Sequence, residues 1–123
     1  MKNIVKAFKA LSDDTRLRIM NILMQRECCV CEVIQALDIS QTRASRNLTI
    51  LHDTGFLKMR KDGLWSLYSI DSKAMEKNFP GLLDSLSRQL NDSEGIDIDR
   101  QRLAVAVRTG PGCCIKNKKI SPV

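Results

Sequence analysis

Two strand-like runs flank the dipeptide Asp62-Gly63: Phe56-Leu57-Lys58-Met59-Arg60-Lys61 before it and Leu64-Trp65-Ser66-Leu67-Tyr68-Ser69-Ile70 after it. Asp-Gly in that setting is the strongest short-range signal for a two-residue β-hairpin, whose turn residues must adopt positive φ. What comes before narrows the fold further. Ala44, Leu48 and Leu51 fall at i, i+4, i+7, Ser40 stands at an N-cap position and Gly55 follows the last apolar residue, so the spacing predicts a helix over 41–54 that runs straight into the hairpin. Ahead of it, Val33, Ile34 and Leu37 give the apolar face of a short helix from about Cys31 to Leu37, with Asp38-Ile39 as the turn. Two helices joined by a few residues and followed by a hairpin make a helix-turn-helix with a wing.

The remaining segments are mostly helical. Ile4, Phe8 and Leu11 share one helical face. Ser12-Asp13-Asp14 then offers an N-cap and two carboxylates to a second helix reaching Arg26. In that helix Leu17, Met20 and Met24, widened by Ile19, Ile22 and Leu23, form a well-buried stripe, while Arg16 and Arg18 are expected to point outward. After Pro80-Gly81, Leu82, Leu83, Leu86 and Leu90 form a further stripe, suited to a partner chain. Residues 93–108 fit either a helix or a strand. Gly110-Pro111-Gly112 then breaks the pattern and leaves Cys113-Cys114 on a flexible basic tail. The expected organisation is one winged helix-turn-helix domain for DNA binding and dimerisation over 1–92 and a C-terminal extension over 93–123; the fold class is mainly α with a small β-hairpin.

The polar faces carry a partner signature. Ser40, Gln41, Thr42, Arg43, Ser45, Arg46 and Thr49 can all bond bases or phosphates and none is acidic, as a recognition helix requires. Arg60 and Lys61 beside the hairpin turn are placed for phosphates or the minor groove. A formal charge of +6 favours an anionic partner. Trp65 and Tyr68 read as packing residues. His52 suits phosphate or helix contact better than metal.

Cysteine placement supplies the second function signal. Five cysteines fall into two groups, Cys28, Cys29 and Cys31 in "ECCVCE" and the pair Cys113-Cys114. The opening residues lack a secretory h-region and no apolar run approaches the roughly 20 residues that span a bilayer, so a cytoplasmic chain without membrane attachment is expected. Reducing conditions there, and an odd count, favour metal or redox chemistry over a disulfide framework. Cys28-Cys29-Val30-Cys31 has the redox-active Cys-x-x-Cys spacing, yet it follows a long helix rather than a strand of a βαβ unit. With no catalytic triad and no phosphate-binding glycine loop, an enzyme is not expected.

Taken together, "FKALSDDTRLRIMNIL", "SQTRASRNLTILHDTGFL" and "RKDGLWSLYSI" resemble the ArsR-type (ArsR/SmtB) winged helix-turn-helix metalloregulatory repressors across residues 4–92. The resemblance implies a homodimer joined through its first and last helices, bound to double-stranded operator DNA with an inverted repeat and released by an inducer. In the arsenic-responsive branch a Glu-x-Cys-Val-Cys-acidic stretch holds trivalent arsenic or antimony, and "ECCVCE" puts Cys29 and Cys31 in the two thiol positions. The resemblance therefore implies arsenite or antimonite as inducer, about one per subunit.

One departure matters. The arsenic pattern usually has another cysteine where this chain has Ile34, and trivalent arsenic prefers three thiolates in a pyramid, so the third ligand would come from Cys28, Cys113 or Cys114. Three thiols this close splay around a regular helix at about 100° per residue, and Cys28 converges with the others only if the helix starts late. Cys28 equally suits a core position. A thiol redox or persulfide signal, with Cys28–Cys31 the plausible disulfide spacing, and a zinc or other soft-metal signal are the alternatives. A histidine-based zinc site on the last helix is not expected, because 82–90 has no histidine.

Overall fold

The computed structural model describes residues 1–109, in the order α1 (Lys2–Leu11), α2 (Asp14–Gln25), β1 (Cys28–Cys29), α3 (Val30–Leu37), α4 (Gln41–Thr54), β2 (Leu57–Asp62), β3 (Trp65–Ile70), α5 (Ser72–Asn78), α6 (Leu82–Asn91) and α7 (Ile96–Val105). It is a winged helix-turn-helix. Local chemistry sets its central part. Ser40 caps α4 by accepting the Arg43 N–H at 3.1 Å, and Gly55 ends it at φ +94, a left-handed conformation that a Cβ would strain. The hairpin pairs Leu57 with Ile70 through to Asp62 with Trp65, so Asp62 ends β2 and the two-residue turn is Gly63-Leu64, one position later than the Asp62-Gly63 turn expected from sequence; Gly63 alone has positive φ there, at +63.

The main core lies between α2, α3, α4 and the sheet. Ile19, Met20, Ile22, Leu48, Leu51, Phe56 and Met75 are fully buried within it. Removing a side chain of this kind costs about 2–5 kcal/mol through lost transfer energy and the cavity left behind.

Four local expectations are corrected. Asp13, not Ser12, caps α2, accepting the Arg16 N–H at 3.1 Å, while Ser12 closes α1. Arg16 and Arg18 do not simply point outward. Arg16 donates to the Ala10 carbonyl and to Asn47 Oδ1 on α4 (2.9 Å), tying α1, α2 and α4 together. Arg18 forks onto Asp99 of α7 at 2.8 and 2.9 Å. Finally, α3 begins at Val30 rather than Cys31, because Cys28 and Cys29 are drawn into a third strand against β3.

The ambiguous stretch after Ser93 contains α7, which packs on α2 and α3. Ile96 and Leu103 are buried, Leu103 within the main core, but they make no continuous stripe, and polar contacts seat the helix as well. Arg26 Nη2 donates to the Leu103 carbonyl at 3.1 Å, and Gln35 exchanges two hydrogen bonds with the Val107 backbone, 2.6 and 3.1 Å long. Among the described residues no helix is long and apolar enough to cross a membrane.

Candidate functional site

The sheet has the order β1-β3-β2, so the thiol segment forms an edge of the wing itself. Cys28 pairs with Tyr68 and Cys29 with Leu67. Successive strand residues face opposite ways, and the burial follows that rule. Cys28 joins the main core, whereas Cys29 forms a separate buried cluster with Cys31 and Leu67, against which Trp65 packs.

Cys29 and Cys31 are paired as a disulfide, their Cα atoms 5.5 Å apart. The sequence expectation had favoured Cys28–Cys31 as the disulfide spacing. Cys28 is unpaired and buried instead, and desolvation pushes its thiol up to about 12, so it stays protonated and a poor soft-metal donor at neutral pH. Residues 29 and 31 meet because Cys29 is the extended N-cap of α3 and Cys31 lies in its first turn. Glu32 fixes this corner by accepting the Cys29 N–H at 3.0 Å and Arg26 Nη1 at 2.6 Å.

Once reduced, two adjacent sulfurs are a donor set for a soft, thiophilic atom. Among the described residues no group of three or more His, Cys, Asp and Glu side chains is assembled to hold a metal ion. Cys113 and Cys114 lie outside the described residues.

Around the thiols runs a ring of charged groups that the sequence reading did not anticipate. Glu27 accepts Arg60 Nε at 3.1 Å and also Arg60 Nη2, and these bonds hold its carboxyl below the usual range. Arg108 lies 3.6 Å from Glu32, donates to Asp62 at 3.2 Å and stacks over Trp65 with its guanidinium 5.5 Å from the ring centre. Strand alternation was the available signal. Arg60, Asp62, Trp65 and Leu67 share one face of a hairpin joined by the Gly63-Leu64 turn.

The other predicted residues lie at the exposed end of α4 and along the hairpin. Thr42, Arg43, Arg46 and Thr49 are exposed, and Gln41 and Ser45 half-buried. Thr42, Arg43 and Arg46, with Ser40, border a polar cleft of about 340 Å³ between α2 and α4. Arg43 also donates to Thr15 on α2 at 2.7 Å, and the Ser40 hydroxyl is used in capping. Lys61 reaches across the hairpin to Ser66 at 2.9 Å. Arg60 and Lys61, adjacent in sequence, therefore serve opposite faces of the wing.

Residues 13–59 match the family described as bacterial regulatory protein, arsR family. The chain is 38% identical over 101 residues to the arsenic resistance transcriptional regulator ArsR1 of Pseudomonas putida, the match covering 79% of this chain and 74% of that protein. It is 40% identical over 76 residues to a cadmium resistance transcriptional regulatory protein CadC homolog of Staphylococcus aureus, covering 61% of this chain and 63%, a little under two thirds, of the relative. Among solved structures, the homodimeric winged helix-turn-helix DNA-binding domain Mb0332 from Mycobacterium bovis is similar with a TM-score of 0.63 at 25% identity, covering 76% of this chain and 82% of that one.

Proposed function

The chain belongs to the arsR family of bacterial regulatory proteins, which are DNA-binding transcriptional regulators rather than enzymes, and from that premise we propose that it is a metalloid-responsive repressor. As a homodimer it binds double-stranded operator DNA through α4 and the wing, and it leaves the DNA when trivalent arsenic or antimony binds Cys29 and Cys31. The observation that carries this reading is the burial of those two sulfurs, side by side, at the strand that edges the wing and the helix that precedes α4.

In the uninduced dimer the two α4 helices sit about one helical turn of DNA apart, roughly 34 Å, so each enters a successive major groove. Gln41, Thr42, Ser45, Arg46 and Thr49 read bases or phosphates from α4, with Ser40 and Arg43 at its N-terminal end, and Arg60 and Lys61 reach the backbone from the wing. Arsenite supplies a soft centre that exchanges hydroxyls for thiolates. Cys29 and Cys31 provide two of them, and the extension over 93–123 provides the third from Cys113 or Cys114. Cys28 ranks behind these, since its face of β1 belongs to the core.

A second reading, a thiol redox or persulfide signal, is favoured by the Cys29–Cys31 pairing itself. It keeps the same fold and DNA interface. A zinc or other soft-metal signal would use the same two sulfurs.

One experiment separates these. Operator binding is measured for the reduced wild-type chain and for Cys29→Ser, Cys31→Ser, Cys28→Ser and a Cys113→Ser/Cys114→Ser double variant, each with and without arsenite. The wild type is expected to lose between 5- and 150-fold in affinity, the usual span of an allosteric coupling of about 1–3 kcal/mol. Cys29→Ser and Cys31→Ser should not respond, Cys28→Ser should, and the tail variant should respond weakly. A wild type that arsenite leaves on DNA but a peroxide releases would replace the metalloid reading by the redox one.

A further inference from the structure

The register places Cys29 opposite Leu67 and Leu67 opposite Arg60, so one rung of the sheet runs from the thiol pair to the wing arginine. Glu27, two residues before Cys29, reaches Arg60 from the same side and accepts both Nε and Nη2 on its two carboxylate oxygens. That fork is the one a guanidinium uses on a phosphate. Arg60 can therefore hold Glu27 or the DNA backbone with this edge, but not both. The pair is open to competition, with the Arg60 side chain 59% exposed and that of Glu27 32% exposed.

Lys58 and Arg108 also act on Glu27 through space, but Arg60 alone bonds its carboxylate, and two nearby charges have other partners. Arg26 is held by Glu32 and the Leu103 carbonyl. Asp62, which could otherwise compete for Arg60, is taken by Arg108. Glu27 and Arg60 thus form a distinct unit within the charged ring, and β1 is only two residues long, so the position of Glu27 depends directly on where Cys29 is held.

Resting on the reading that Cys29 and Cys31 receive the signal, we propose that Glu27 transmits it by occupying Arg60 in place of a DNA phosphate when the two sulfurs are tied together. With arsenite, two As–O bonds give way to two As–S bonds. Each thiol proton leaves with a hydroxyl as water, and no oxidant is consumed. Tying the sulfurs holds the 27–29 segment against β3 and presents the carboxylate to the wing. With the sulfurs free, that segment relaxes and Arg60 turns to the backbone.

The test uses the full reduced chain and a labelled duplex that the wild type has selected from random-sequence DNA. Affinity is measured against salt concentration with and without sodium arsenite, and arsenite occupancy is followed separately by near-ultraviolet thiolate–arsenic absorbance. Glu27→Gln should bind arsenite like the wild type yet lose less DNA affinity on doing so, by up to about fivefold per protomer, the scale of an exposed ion pair. Arg60→Ala should bind DNA more weakly without arsenite, with a salt slope lower by about 0.9 per protomer, and arsenite should not lower that slope further. Release of Glu27→Gln to the same extent as the wild type, at equal arsenite occupancy, would overturn the inference while leaving the sensor reading intact. A wild type that takes up arsenite and stays on DNA would overturn both.

Discussion

Cys28 and Cys29 are covalent neighbours with opposite chemistry, because a two-residue strand turns one into the core and the other toward Cys31. The Cys28 thiol, pushed up to about 12 by burial, gives a pH dependence with a definite sign. The unfolded chain ionises this thiol near its ordinary value of 9.0 while the folded chain keeps it protonated, so its contribution to stability is complete below pH 9 and is lost as the pH rises toward 12. Urea unfolding between pH 8 and 11 should show a downward slope of up to about 1.4 kcal/mol per pH unit that Cys28→Ala lacks. From sequence, the three thiols read only as crowded at a helix start. The capping corner at Cys29 and Glu32 is local, but the strand that sends Cys28 to the core and Cys29 to the other face depends on pairing with Tyr68 and Leu67, about forty positions away.

At the scale of elements, α4 and the hairpin were legible because their signals are local: a serine cap, a glycine terminator, apolar spacing and a glycine between two strand-like runs, although the turn falls on Gly63-Leu64 rather than Asp62-Gly63. The helix α7 was not, because its two buried apolar residues, Ile96 and Leu103, form no stripe and much of what seats it is polar. Asp99, 2% exposed, is held by Arg18 from a helix some eighty residues earlier, and the same guanidinium donates to the Leu37 carbonyl at the end of α3. No periodic stripe announces such a contact. Arg18→Ala leaves the Asp99 carboxylate buried without its cation and is expected to cost about 3 kcal/mol, measured by urea unfolding, with α7 the first segment to lose hydrogen-exchange protection. In Arg18→Ala/Asp99→Ala the loss should be smaller, since no uncompensated charge remains.

For the whole molecule, the same residues that leave α1 poorly covered point to the dimer. Ile4, Val5 and Phe8 are 46%, 43% and 58% exposed on one helix while Ala7, Ala10 and Leu11 of the same helix are buried. An apolar face of this kind on a surface helix marks an interaction surface. Phe8→Glu should convert the dimer to monomer in sedimentation velocity and abolish high-affinity operator binding. Its circular dichroism should stay close to wild type, because Phe8 lies outside the core of the single chain. The resemblance supplied this expectation, and the exposure pattern supports it independently. Which strand carries the thiol pair, and which charges surround it, came only from the assembled sheet.

The packing of Trp65 on Cys29, Cys31 and Leu67 has a practical consequence. The chain contains a single tryptophan, so all of its indole emission arises beside the thiol pair. Sulfur chemistry at that spot, whether a heavy atom arriving or a disulfide opening, alters the surroundings of the one indole in the chain. On the proposed reading the chain carries its own optical gauge: the state of the thiol pair can be followed in unlabelled protein while DNA occupancy is recorded at another wavelength.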